Sequence, residues 1–248
     1  MKKEKIIFAV ALTVALAVLP EITFAQDAAA AATVEVVSWD KVLLNKFIEG
    51  GAGFMSTVLI ALILGLAFSI ERIISLSLAS TNTKKLLAKV DENLKNGNVE
   101  GAKEVCKANR SPIASIMHQG LERVDGGVEA VEKAVVAYGS VEMGNLEKGL
   151  TWIALFIALA PMLGFMGTVI GMIDAFDAIQ AAGDISPTVV AAGIKVALLT
   201  TVFGLIAAII LQIFYNYIVS RIDSIVNDME GSSITFVDML IHHNILKK

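Results

Sequence analysis

The chain has 248 residues, 56% of them hydrophobic, with 20 basic and 24 acidic side chains. Soluble domains are usually nearer 45–50% apolar, so the composition points to a membrane protein. The near balance of charge gives no sign of a nucleic-acid partner, and the lone Cys106 excludes an internal disulfide or a cysteine metal cluster. Three histidines without HExxH-type spacing offer no dedicated metal site, and no cofactor is expected.

Met1 to Ala25 opens with Lys2, Lys3 and Lys5, continues as IIFAVALTVALAVL and reaches the small-x-small sequence Thr23-Phe24-Ala25. This is the anatomy of a secretory signal peptide cut after Ala25, with an uncleaved signal anchor as the alternative. A cleaved signal places the mature N-terminus outside the cytoplasm. Residues 26–51 form an outer N-terminal segment, and its apolar positions Val34, Val36, Trp39, Val42, Leu43 and Phe47 predict a short amphipathic helix at the interface, with Trp39 at headgroup level. Gly50-Gly51 ends it.

Residues 52–72 are the first predicted crossing, uncharged from Ala52 to Ile70 and closed by Glu71-Arg72. Residues 73–149 are polar, read as helical, and carry the main concentration of lysines, which places them in the cytoplasm. Breaks are predicted at Asn96-Gly97, Ser111-Pro112 and Asp125-Gly126-Gly127. The piece from Val128 to Lys148 meets Leu150 without a proline, so one long helix is expected to run from cytoplasm into membrane.

Residues 150–175, the second crossing, are uncharged from Leu150 to Ile173. Ala160, Gly164, Thr168, Gly171 and Ala175 recur at steps of four, four, three and four, with Gly167 beside them. Such a stripe lets two helices approach backbone to backbone, so this helix is predicted to have a protein neighbour. Residues 176–187 read as an outer hairpin with Asp177 and Asp184, and 188–220 as the third crossing. There Ala197, Thr201, Gly204 and Ala208 make a second stripe. The tail, 221–248, reads as two short cytoplasmic helices under the bundle. The topology that follows is N-terminus out, three crossings, C-terminus in.

No nucleophile elbow, phosphate loop or intramembrane carboxylate pair is present, so an enzyme is not expected. The candidates are polar groups inside apolar spans. Thr168, Thr200 and Thr201 either line a shared axis or back-bond to a carbonyl one turn earlier and pack. Lys195 either snorkels to the outer interface or pairs with a partner's carboxylate. Asp174 is placed at the outer mouth as a further possible partner contact, with a solvated helix end as the alternative.

Two blocks, APMLGFMGTVIGMIDAF (Ala160–Phe176) and GIKVALLTTVFGLIAAI (Gly193–Ile209), with Tyr215-Asn216 and Glu71-Arg72, carry a resemblance. The sequence resembles the MotA/TolQ/ExbB proton-channel family, closest to its ExbB/TolQ branch, over roughly Ala52 to Asp228. The resemblance implies an all-α, three-crossing protomer in a homopentamer of the bacterial inner membrane. It also implies an ExbD/TolR-like single-crossing partner with an intramembrane Asp, a TonB-like protein beyond it, and pore threonines at Thr168 and Thr201. Some members carry a glutamate where Val196 stands here, beside Lys195, and others a proline at the position of Ile210. The expected function is a proton-driven motor subunit powering outer-membrane transport through the TonB-like protein, with a non-conducting membrane scaffold, or a motor for envelope maintenance or surface motility, as the alternatives. A flagellar-type stator is disfavoured by three crossings rather than four.

Overall fold

The computed structural model describes residues 39–80, 82–183, 187–243 and 245, and the signal-like segment and Asp184 lie outside them. The described residues form eight α-helices and no strand. They are α1 (Trp39–Glu49), α2 (Ala52–Ala79), α3 (Thr83–Lys95), α4 (Val99–Lys107), α5 (Pro112–Glu122), α6 (Val128–Glu147), α7 (Leu150–Ala182) and α8 (Pro187–His242). A single 3₁₀ turn, Val124–Gly126, joins α5 to α6. Three stretches are long and apolar enough to cross a membrane; they contain α2, α7 and α8.

These three helices pack on one another through narrow stripes. On α2 the buried positions are Met55, Val58, Ala61, Gly65, Ser69, Arg72 and Leu76, spaced as one helical face. Gly65 is required there because a Cβ would lie 2.7 Å from the Leu211 methyls of α8. Outward positions such as Ile60, Ile63, Met162, Phe165, Ile209 and Ile213 are apolar and exposed, as a surface facing lipid or another subunit requires.

Helices α3 to α6 build a second layer around one core with the far part of α8. Leu86, Val90, Leu94, Ala102, Cys106, Ile116, Met117, Leu121, Val131, Phe236 and Leu240 are all buried in it. Polar side chains start the helices: Asn82 accepts from the Lys85 N–H (3.2 Å), Asn98 from Gly101 (2.8 Å) and Ser111 from Ala114 (3.3 Å). Each such cap stabilises its helix by about 1 kcal/mol. Burial pushes the Cys106 thiol up to about 12, so it packs as a small apolar group.

Two expectations fail here. The helix predicted to run unbroken from Val128 into the membrane is interrupted at Lys148-Gly149. Gly149 takes φ +92, a left-handed conformation that a side chain disfavours, and it abuts the Arg72 side chain. The tail is not two short helices; α8 continues without a break to His242. Ile222, Ile225, Met229, Ser232, Phe236 and Leu240 keep one buried stripe across Gly231, and that continuous contact overrides the local breakers. At the other end α7 runs on to Ala182, so the connection to α8 is confined to residues 183–186.

The end of α8 is tied to α3. His243 Nε2 lies 2.8 Å from Asp91 Oδ1, and Lys95 binds the other carboxylate oxygen. Lys95 first, then His243, hold the Asp91 carboxyl below its ordinary value. A lowered carboxyl contributes stability above the ordinary range near pH ~4, and that contribution is lost as pH falls through the folded-state value. Asp91→Asn is therefore expected to lower the melting temperature slightly at pH 7, with the gap to the parent closing below pH ~4. Equal gaps at both pH values would contradict this.

Candidate functional site: the seam between two apolar helices

Among the described residues α7 and α8 approach each other backbone to backbone. A Cβ added to Gly164 would sit 2.9 Å from the Thr200 carbonyl oxygen, and one on Gly204 would sit 2.6 Å from that of Ala160. A Cβ on Gly171 would lie 3.2 Å from the Ala197 backbone nitrogen. Only glycine and alanine allow two backbones to come this near, and the contact gains dispersion energy along the whole seam.

The seam is rotated from the predicted stripes by about one residue. On α7 the buried set is Ala160, Gly164, Gly167, Gly171 and Ala175, so Gly167 lies in the stripe and Thr168 on its margin. On α8 the buried set is Ala197, Thr200, Gly204 and Ala207, while Thr201 and Ala208 are half-buried beside it.

This rotation separates the three threonines. Thr200 takes the packing alternative: it is buried within the chain, with 1% of its surface exposed. Its hydroxyl donates to the Ala197 carbonyl at 2.8 Å and its side chain lies against Gly167, where a Cβ would clash with it. Thr201 is half-buried, and its hydroxyl lies 3.3 Å from the Gly164 carbonyl of α7 and 3.4 Å from that of Ala197. Thr168 donates to Phe165 at 2.6 Å and stays partly open to the surroundings. The Thr168 and Thr201 hydroxyls thus meet consecutive carbonyls of α7, those of Phe165 and Gly164. Both keep lone pairs free to accept another hydrogen bond.

Lys195, half exposed, has its ammonium 3.1 Å from Glu49 Oε2 of the same chain. Lys46 binds that same oxygen at 2.8 Å, and Lys46 followed by Lys195 holds the Glu49 carboxyl below its ordinary value. With Phe47 set edge-on to Phe203 at 6.4 Å, this pair docks α1 on α8. Sequence reasoning missed Glu49, because nothing local relates it to Lys195. Asp174 is exposed and lines a depression of about 170 Å³ with Gly50, Gly51, Phe54, Gly167 and Thr200. Among the described residues no cluster could hold a metal ion.

Comparison with known proteins converges on the same helices. Residues 108–231, spanning α5, α6, α7 and most of α8, match the MotA/TolQ/ExbB proton channel family. An ExbB homolog of Methanothermobacter thermautotrophicus, named as a biopolymer transport protein, is 35% identical over 199 residues, covering 79% of this chain and 69% of its own. A biopolymer transport protein ExbB-like 1 of Synechocystis is 28% identical over 72% of this chain and 71% of its own. The Tol-Pal system protein TolQ of Pseudomonas aeruginosa is 29% identical over 56% and 58% respectively. With three apolar helices of membrane-crossing length and a match running through the seam itself, the chain is a multi-pass membrane protein that belongs to the MotA/TolQ/ExbB proton channel family.

Proposed function

We propose that the chain is the channel-forming subunit of an inner-membrane energy-transducing complex, working as a ring of identical copies. In this reading the residues outside the cytoplasm include α1, and α3–α6 with the end of α8 lie inside it. The carrying observation is the pair of partly open hydroxyls, Thr168 and Thr201, on the consecutive carbonyls of Phe165 and Gly164 at the α7/α8 seam. The surrounding helix surface has no charge from Leu150 to Ile173. A proton moving through such a lining needs a titratable group, and this chain supplies none at that depth. The group is therefore assigned to an ExbD/TolR-like single-crossing partner with an intramembrane carboxylate.

Thr168 and Thr201 would offer hydrogen bonds to that carboxylate or to ordered water as it gains and loses its proton. Each proton crossing 100 mV releases about 2.3 kcal/mol, so a few protons suffice to move one component against the other. The output would reach outer-membrane transport through a TonB-like protein.

A scaffold reading, in which the complex assembles but does not conduct, has one observation in its favour: all three threonine hydroxyls already have carbonyl acceptors within the chain. One substitution separates the two. Thr201→Val keeps the shape and removes the hydroxyl. The motor reading expects an unchanged native mass with the partner and loss of proton flux in vesicles holding the complex. Undiminished flux would remove Thr201 from the mechanism and favour the scaffold.

A further inference from the structure

The layer built by α3–α6 leaves one flank of α8 uncovered. There α6 and the C-terminal part of α8 diverge into a groove of about 750 Å³, with Ile116, Val135 and Met229 among its lining. At its lips Val136 and Ile234 are 70% and 67% exposed, a degree of apolar exposure that marks an interaction surface when the residues are contiguous. Three acidic residues line it, Glu132, Glu230 and Asp238, and no basic one.

The opposite flank of α8 has the complementary character. Asn227, Asp228, Gly231 and Thr235 border the start of α3 there, beside Lys84 and Leu87. The free edge of α3 carries Lys84, Lys85 and Lys89, all exposed, around the exposed Ala88, with one acid, the exposed Glu92, on the same face. Positions 84, 85, 88 and 89 share one helical face by their three- and four-residue spacing. Among the described residues neither these lysines nor Glu132, Glu230 and Asp238 take part in an ion pair. One flank is thus an apolar groove rimmed with unpaired acids, and the other a helix edge with three unpaired lysines and one acid around Ala88.

We infer that the α6/α8 groove seats the α3 lysine edge of a second copy of this chain. The groove and the α3 edge lie on different sides of α8, so a copy seated in one leaves its own groove open to the next. The contact is head-to-tail, and repetition closes a ring. Like charges set against each other in the wrong register are costly, so the charges also select orientation. The inference rests on the ring reading above and adds the surfaces that meet in it.

The test uses the full-length protein purified in detergent and treated with a zero-length carbodiimide, which joins lysine amines to carboxylates already in contact. The expected result is a ladder of cross-linked multiples on a denaturing gel. Its linked peptides should join Lys84, Lys85 or Lys89 to Glu132, Glu230 or Asp238, and K84Q/K85Q/K89Q should lose them. Native mass is read in parallel. An intact multimer without those peptides, or with products stopping at two copies, overturns the docking and leaves the ring standing. A monomeric native mass overturns both.

Discussion

Gly204→Val should prevent α7 and α8 from forming their seam. Even the first added carbon would lie 2.6 Å from the Ala160 carbonyl oxygen and 3.0 Å from the Gly164 Cα. Neither obstacle is a side chain that can turn aside; both are helix backbone, so the helices must separate along the contact. Overpacking of an ordinary core costs about 1–3 kcal/mol, and a backbone obstacle with two further methyls puts this substitution at or above the upper end. Separation also forfeits the Thr201–Gly164 hydrogen bond and the contacts of Ala197, Ala160 and Gly171. The expected readout is loss of folded protein after detergent extraction, seen as aggregation on size exclusion. Gly144→Ala serves as the control, since a Cβ there meets nothing within 4 Å and alanine favours a helix. If the two variants extract equally well, the seam is not the organising contact.

Phe236→Ala should loosen the other layer while leaving the apolar helices in place. Phe236 is fully buried where α8 crosses α5, close enough to Gly120 that a Cβ there would lie 2.7 Å from its ring. Removing a buried phenyl ring costs about 3–5 kcal/mol, the spread reflecting how far the cavity collapses. Few domains have much more stability than that in reserve. Limited proteolysis should therefore cut the variant within residues 83–147 under conditions that spare the parent, while the three apolar helices stay protected by detergent. An unchanged digestion pattern would mean that this layer draws its stability from elsewhere.

Most of the architecture could be read from the chain because membrane-crossing helices announce themselves by missing charge, and α2, α7 and α8 did. The face each helix turns inward was harder. Steps of four, four, three and four through Thr168 and steps of four, three, four and four through Gly167 both describe a helical stripe. Residues i and i+1 stand about 100° apart, so an error of one moves a side chain from seam to margin. That is how Thr200 fills the stripe position predicted for Thr201. Gly149 escaped notice because a glycine between two helical patterns breaks the chain only if its φ turns positive, which depends on Arg72 and the rest of the fold. The Glu49–Lys195 pair joins residues far apart in sequence, and no periodicity reports such a meeting.

The unbroken course of α8 has a mechanical corollary. From Lys195, held by Glu49, to the anchoring contact at His243 the chain rises about 70 Å at 1.5 Å per residue, with no joint between. A twist about the helix axis at the first end is delivered to the second, since the hydrogen-bonded ladder offers no loose bond in which to dissipate it. Its neighbour α7 is decoupled from α6 by the left-handed Gly149. α8, like α2, is thus continuous from the apolar bundle into the second layer, whereas α7 and α6 meet at a left-handed glycine.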